Sequence, residues 1–250
     1  MATVKKKTSK PHLPAGRHGF SKKEAINLGF KLAKKNIIFF IGIFVIVVVI
    51  SSMSSAIQMG VALEKQPMLY ILLNILTFIV NAIIGMGLIK ISLEFIDNKK
   101  PKFSDIFHTK NLVNFILASL IRGVITFIGF ILLIIPGIIF SIRLQYVPYL
   151  IVDKNLPPVE AVKKSWKMTK ENTWNLFFFG ILLFLVNVLG AILLLIGLFV
   201  TVPLTMLATT FVYRKHFLHC RFTCDNLSSR SKNSKRKNTG SYCFIYCSGN

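Results

Sequence analysis

Two arginines stand where a charge is expensive. Arg122 and Arg143 lie inside long apolar runs that contain no Asp or Glu at their depth. An arginine at the centre of a bilayer costs roughly 2.5–3.5 kcal/mol on insertion scales unless it is paired or hydrated. Carbonyls, Gln145, Tyr146, water or a lipid phosphate must therefore meet these guanidinium groups. The functional reading makes Arg122 and Arg143 ligands of an anionic lipid head group or anionic solute, with Tyr146 and Tyr149 as walls. The bland reading is snorkelling toward an interface, which the short run around Arg143 permits.

Other chemistries lack their residues. The five histidines, His12, His18, His108, His216 and His219, fall outside the apolar runs or at their ends. Proton relays and intramembrane metal sites need carboxylates or imidazoles facing a cavity. The sequence has no Gly-rich phosphate loop followed by Lys, no HExxH and no G-x-S-x-G. The expectation is a protein that is not an enzyme and holds no cofactor or metal. The cysteines, Cys220, Cys224, Cys243 and Cys247, form two C-x3-C pairs separated by 18 residues. Structural zinc sites favour a two-residue gap, so free thiols on a flexible tail are expected.

Composition sets the frame that must position these groups. The 250 residues are 53% hydrophobic and 16% charged. A soluble domain carries about 25% charged residues. Apolar runs occupy about 37–58, 68–96, 111–135, 137–152, 173–196 and 198–217. About 20 apolar residues cross the hydrocarbon layer as a helix. The long stretch 111–152 is split at Ile135-Pro136-Gly137, since Pro removes a backbone donor and Gly permits a turn. Gly197 and Pro203 punctuate 173–217 in the same way. These runs predict an all-α, polytopic transmembrane bundle of about six spans.

The chain carries 31 Lys+Arg against 9 Asp+Glu, a net charge of +22. The basic residues lie mainly in 1–35, 97–110, 153–172 and the tail, whereas 59–67 is near neutral. Cationic loops remain cytoplasmic, so both termini are expected on the cytoplasmic side. The polar ends are too poor in apolar residues to form a nucleic-acid-binding domain. Ser54-Ser55-Ala56 resembles a signal cleavage site, but a 36-residue lead is long for that role.

A repeat runs through the membrane region. Residues 24–36 (EAINLGFKLAKKN) match 160–172 (EAVKKSWKMTKEN) at an offset of 136. A weaker match at an offset of 61 pairs Ser104 with Ser165, Asn111 with Asn172, Asn114 with Asn175 and Gly129 with Gly190. The expected organisation is a basic N-terminus (1–20), three units (21–97, 101–152 and 157–217) within a membrane domain (21–217), and a basic disordered tail (218–250). Ser21-x-x-Glu24 is a capping box that starts an amphipathic helix carrying Ile26, Phe30 and Ala33 on one face. Pro157-Pro158 starts another, with Val159, Val162 and Trp166 as its stripe. Its Lys163, Lys164, Lys167 and Lys170 suit anionic head groups. Asn74, Thr77, Asn81 and Gly85, and Ser119 with Gly123, read as helix-packing seams.

The run Ile135-Pro136-Gly137-Ile138, Arg143, Pro148-Tyr149-Leu150, Val152-Asp153, Glu160-Ala161, Ser165-Trp166, Thr169-Lys170 and Asn172 resembles the membrane domain attached to some bacterial glycerophosphoryl diester phosphodiesterases. It is also similar to stand-alone bacterial integral membrane proteins of unknown role. The likeness covers about 20–217 and is densest from 135 to 203. It implies a bacterial inner-membrane location and no catalytic residue, since the phosphodiesterase activity of that family belongs to a soluble barrel. Glu171 stands where the family usually has Gly before the Asn. The combined expectation is a non-catalytic module that organises membrane lipids, anionic ones among them, or a membrane protein partner. The alternative is a transporter or permease-like protein for a lipid or small anion.

Overall fold

The computed structural model describes residues 21–63, 66–107, 111–170, 172–192 and 197–232, with side chains as far as His216. The expectations for 1–20 and for the side chains of Cys220, Cys224, Cys243 and Cys247 lie outside this description. Ser21 caps α1 (Lys22–Lys35), its hydroxyl accepting the Glu24 N–H at 3.4 Å. Glu24 does not complete the box; its carboxylate takes Lys215 at 2.8 Å instead. Asn36 ends α1, and the apolar α2 (Ile37–Leu63) follows. Then come α3 (Pro67–Ile96), a 3-10 helix (Phe103–Phe107), α4 (Leu112–Leu132), α5 (Ile134–Arg143) and α6 (Val147–Lys154). The described chain closes with α7 (Pro158–Lys170), α8 (Thr173–Ile192) and α9 (Leu198–Lys232).

The fold is all-α. Five helical stretches are long and apolar enough to cross a membrane: Ile37–Val61, Pro67–Ile96, Leu112–Leu132, Ile134–Lys154 and Thr173–Ile192. The sixth apolar run, 198–217, is helical within α9 but is not among these five. It also continues as helix to Lys232, past the boundary at 217 drawn from composition.

The turn in 111–152 sits at Leu133, not at Pro136-Gly137. Leu133 is extended (φ −170°, ψ 151°), and Pro136 falls in the first turn of α5. There the missing N–H is an orphan in any helix, so proline starts α5 instead of ending α4. Gly137 serves the hairpin by its smallness: a Cβ on Gly129 would lie 3.0 Å from Gly137 Cα. Gly190 and Gly197 meet in the same manner between α8 and α9. The run 137–152 is two helices, because the chain turns at 144–146 before Pro148 opens α6.

The expected stripes are only partly buried: Ala33 is buried and Ile26, Val162 and Trp166 pack against the core, but the deepest positions are small residues. Ala25, Gly29 and Ala33 of α1 are buried, whereas Phe30 is exposed. In α7 the buried set includes Ala161, Ser165, Met168 and Thr169, with Val159 exposed. These small stripes correspond at the 136-residue offset: Ala25 to Ala161, Gly29 to Ser165, Ala33 to Thr169. Small residues let helix backbones approach. A Cβ on Gly29 would stand 2.8 Å from the Leu204 carbonyl oxygen of α9. A Cβ on Gly87 of α3 would collide with the backbone of Ile106 in the 3-10 helix.

A cyclic order results. The 3-10 helix packs on α3, α7 packs on α6, and α1 packs on α9. The 3-10 helix and α7 each lean on the helix that comes just before them in the chain, and α1 leans on α9, the last helix described. The buried side chains of α3 begin at Ile84, and those of α9 include Leu204, Leu207, Phe211 and Tyr213. The opposite end is open: Leu72, Leu76 and Phe78 of α3, Phe127 and Ile131 of α4, and Phe184 and Leu189 of α8 are exposed.

The proposed seams are only partly used. Thr77 accepts a hydrogen bond from Gln58 Nε2 at 2.8 Å, joining α2 to α3. Asn74 and Asn81 are exposed, and a Cβ on Gly123 would meet nothing within 4 Å. On α4 the buried positions are Phe115, Ala118 and Gly129.

Gly29→Leu must push α1 off α9, an overpacking cost of about 1–3 kcal/mol. Gly60→Leu meets nothing within 4 Å. Thermal unfolding in detergent is expected to show a lowered midpoint for the first variant and none for the second.

Candidate functional site

The end of α5 exposes a need for hydrogen bonds. A helix leaves its last carbonyls without intrahelical partners. The Arg143 carbonyl, in the last turn of α5, accepts the Ser165 hydroxyl at 2.7 Å and the Thr169 hydroxyl at 3.3 Å. The small stripe of α7 therefore props the break between α5 and α6. The same contact places the Arg143 guanidinium over the Trp166 ring, 4.5 Å from its centroid. Arg143 Nε is buried and has no hydrogen-bond partner among the described residues.

Arg122 is half-buried on α4, with Tyr149 as its electrostatic neighbour. Tyr149 is hydrogen-bonded to Thr210 of α9. Tyr146 and Tyr149 are ring neighbours, 6.1 Å apart, and both pack on Tyr213. Tyr146 is fully buried, and its hydroxyl has no hydrogen-bond partner among the described residues. The four residues chosen from sequence thus divide. Arg122 goes with the tyrosine cluster, and Arg143 goes with Trp166 of α7. Tyr146 is enclosed in protein, so it lines no open pocket.

An open pocket does lie beside Arg143. It has a volume of about 240 Å³ and is lined by Ile125, Leu144, Val162, Lys163, Trp166 and Lys167. Val162 and Trp166, like Lys163 and Lys167, are one helical turn apart, so α7 presents an apolar wall beside a cationic rim. Lys163 and Lys167 are exposed. Lys164 points the other way and is buried. Burial holds its ammonium below the ordinary lysine range, Lys154 adds to this, and Glu160 and Asp153 oppose it.

Composition alone did not bring forward the ion cluster at the packed end. Arg214 of α9 reaches Asp153 at 2.8 Å and Asp97 at 2.5 Å. Tyr213 donates to the same Asp153 oxygen at 3.0 Å. Lys90 pairs with Asp105 at 2.8 Å nearby in sequence on α3 and the 3-10 helix. A signal was present: Asp97 with Pro101 and Asp153 with Pro157 repeat the spacing Asp-x3-Pro at two unit boundaries. Among the described residues, no group of three His, Cys, Asp or Glu could hold a metal ion.

No protein-family model matches the chain. An uncharacterized protein of Mycobacterium tuberculosis is 27% identical over 129 residues, which cover 52% of this chain and 40% of that protein. An uncharacterized protein of Mycobacterium bovis is similar at the same identity and coverage. The match spans about two fifths of the length of these curated relatives. No solved structure matches.

Breaking a buried ion pair from one side costs about 3–5 kcal/mol, because the remaining charge is uncompensated. Arg214→Met is expected to lower the unfolding midpoint strongly. Combining it with Asp97→Asn and Asp153→Asn is expected to recover part of that loss in the same thermal scan.

Proposed function

We propose that the protein is a non-catalytic, multi-pass module of a bacterial inner membrane that organises lipids, anionic ones among them, or a membrane partner. The observation that carries this reading is the unequal division of its surface. One end of the bundle is packed and rimmed with lysine, and the other leaves large apolar side chains such as Leu72, Phe127, Phe184 and Ile192 uncovered. Apolar surface of that extent needs a lipid or protein cover. Helices satisfy their own backbone groups, so they can stand in hydrocarbon without further partners. Lys31, Lys34 and Lys35 of α1 and Lys163, Lys167 and Lys170 of α7 are exposed on the polar faces of amphipathic helices, where anionic head groups attract them. The resemblance of 135–172 to a membrane domain separate from its phosphodiesterase barrel agrees with a role without turnover.

Native mass spectrometry of the detergent-extracted protein is expected to find retained phospholipid enriched in anionic species. Lipid-free protein, soluble without detergent, would overturn the reading. Flux of a lipid or anion in proteoliposomes would replace it with the transporter alternative, and turnover by the purified chain would make it an enzyme.

On this reading 198–217 is a sixth crossing, and the cationic loops then put both termini in the cytoplasm. A membrane-impermeant maleimide is accordingly expected to leave Cys220, Cys224, Cys243 and Cys247 unlabelled in intact cells and to label them after permeabilisation. Labelling of intact cells would reverse the orientation.

A further inference from the structure

We infer that one face of α4 docks a transmembrane helix of another protein, a helix that carries an Asp or Glu near its middle. The inference rests on the partner-organising reading and names the chemistry of the partner. Between Phe115 and Leu132 the polar side chains of α4 are Ser119, Arg122 and Thr126. With Gly123 they fall at i, i+3, i+4 and i+7, so they form one stripe. The chain itself leaves this stripe unused. Thr126 Oγ1 is buried without a hydrogen-bond partner, and neither Ser119 nor Arg122 makes a hydrogen bond or ion pair among the described residues. Other helical hydroxyls fold back onto a carbonyl three or four residues earlier, as those of Thr205, Thr209 and Thr210 do at 2.8–2.9 Å. A Cβ on Gly123 would meet nothing within 4 Å, and Leu120, Val124 and Phe127 beside the stripe are exposed.

Charge and depth select the occupant. Arg122 is midway along α4 (Leu112–Leu132), about 15 Å from either end at the helical rise. Its side chain is too short to span that distance. Tyr149, its electrostatic neighbour, is a phenol and carries no charge at neutral pH. The acids of the chain are engaged elsewhere. Glu24, Asp97, Asp105 and Asp153 pair with other bases, Glu94 lies among Lys90, Lys99, Asp97 and Asp105, and Glu160 acts on Lys164. Glu64, Glu171 and Asp225 fall outside the apolar runs of the sequence. A second copy of this chain therefore brings no carboxylate to the depth of Arg122, only another arginine. Lipid phosphates stay at the level of the head groups, and a free anion would have to enter hydrocarbon alone. A helix satisfies its own backbone groups, so it can carry a carboxylate to mid-depth. A guanidinium fork meets a carboxylate with two parallel hydrogen bonds. Ser119 and Gly123 let the partner backbone come close, and the Ser119 hydroxyl is one turn away to donate to the same carboxylate.

The test places the full chain in phosphatidylcholine nanodiscs and adds leucine–alanine transmembrane peptides that carry a dansyl group. One peptide has a single Asp at its centre, one has Leu there, and one has the Asp moved two turns toward an end. Energy transfer from the two tryptophans of the chain reports binding. The central-Asp peptide is expected to bind about tenfold tighter than the other two, the size that polar contacts between model membrane helices reach. Arg122→Leu is expected to erase that preference. If it fails to fold, Arg122→Gln is expected to reduce the preference. Gly123→Leu fills the seam without meeting its own chain. It is expected to weaken binding of the central-Asp peptide without lowering the unfolding midpoint. Equal binding of the three peptides overturns the inference. So does a preference that survives the Arg122 substitutions in folded protein, or binding that Gly123→Leu leaves intact. Three peptides bound alike, together with loss of retained anionic phospholipid in Arg122→Leu, would assign the arginine to a lipid and also overturn it. Displacement of the peptide by millimolar acetate would make it a small-anion site, with the same consequence. Retained anionic lipid in native mass spectra alongside a failed peptide assay removes this interface alone. Loss of both removes the broader reading.

Discussion

Arg214 holds together the ends of two helices that would otherwise repel each other. Asp97 caps the C-terminus of α3 and Asp153 lies in the last turn of α6. Helix C-termini carry a partial negative charge, so a carboxylate there is unfavourable without a cation. The Arg214 guanidinium contacts both carboxylates, and its side chain is only 14% exposed. Its planar fork can serve two acids at once, which an ammonium does less well. One turn before these residues, Thr210 is hydrogen-bonded to Tyr149 and lies 2.9 Å from Ser92 Oγ. A second polar layer therefore backs the ionic one, and the last long helix of each unit contributes to both.

The spacing of these residues explains why they meet. Asp97, Asp153 and Arg214 are separated by 56 and 61 residues, and so are Gly87, Arg143 and Leu204. Each member of the second set touches the short segment of the following unit: Gly87 the 3-10 helix, Arg143 α7, and Leu204 α1. Two sets of equivalent positions thus make equivalent contacts, and the contact between α1 and α9 closes the order into a ring. Around that ring the central charges cannot all be acidic. Three carboxylates at one point would repel, and arginine in the third unit resolves this. A repeat unit cannot cover its own buried face and needs its neighbours, which fits the burial of α6 and of the second half of α3 beside the largely uncovered α2.

How much of this was legible follows from what hydrophobicity reports. The long helices could be read because bilayer thickness fixes their length, and the start of α1 because Ser21 is a strong capping signal. The buried faces of α1 and α7 could not be read in the same way. They are built from Ala25, Gly29, Ser165 and Thr169, residues that rank low on any apolar scale but permit close backbone approach. Ranking by size chose Phe30 and Val159, which face outward. Proline both breaks helices and begins them, so Pro136 does not by itself tell whether the turn in 111–152 falls at it or, as at Leu133, just before it. Arg122 and Arg143 were legible as costly charges. Their separate partners, Tyr149 and Trp166, depend on which helices pack side by side, and no local pattern encodes that. The Asp-x3-Pro repeat marks the two acids of the ion cluster, but its cation, Arg214, lies on α9, where apolarity falls away while the helix continues.

The division between a packed end and an open end assigns different physical jobs to the two halves of each long helix. Near Asp97, Asp153 and Arg214, protein atoms satisfy protein atoms, and a change in volume or charge is felt at once. Toward Leu72, Phe127 and Leu189 the outward side chains meet few protein neighbours, although the hairpin backbones still touch at Gly129–Gly137 and Gly190–Gly197. Lipid tails are as apolar as leucine, so there is little drive for those halves to pack against one another. The α4–α5–α7 corner sits where these regimes meet: Ser165 and Thr169 tie it to the rigid ring, and Ile128 and Leu132 lead away into the open half.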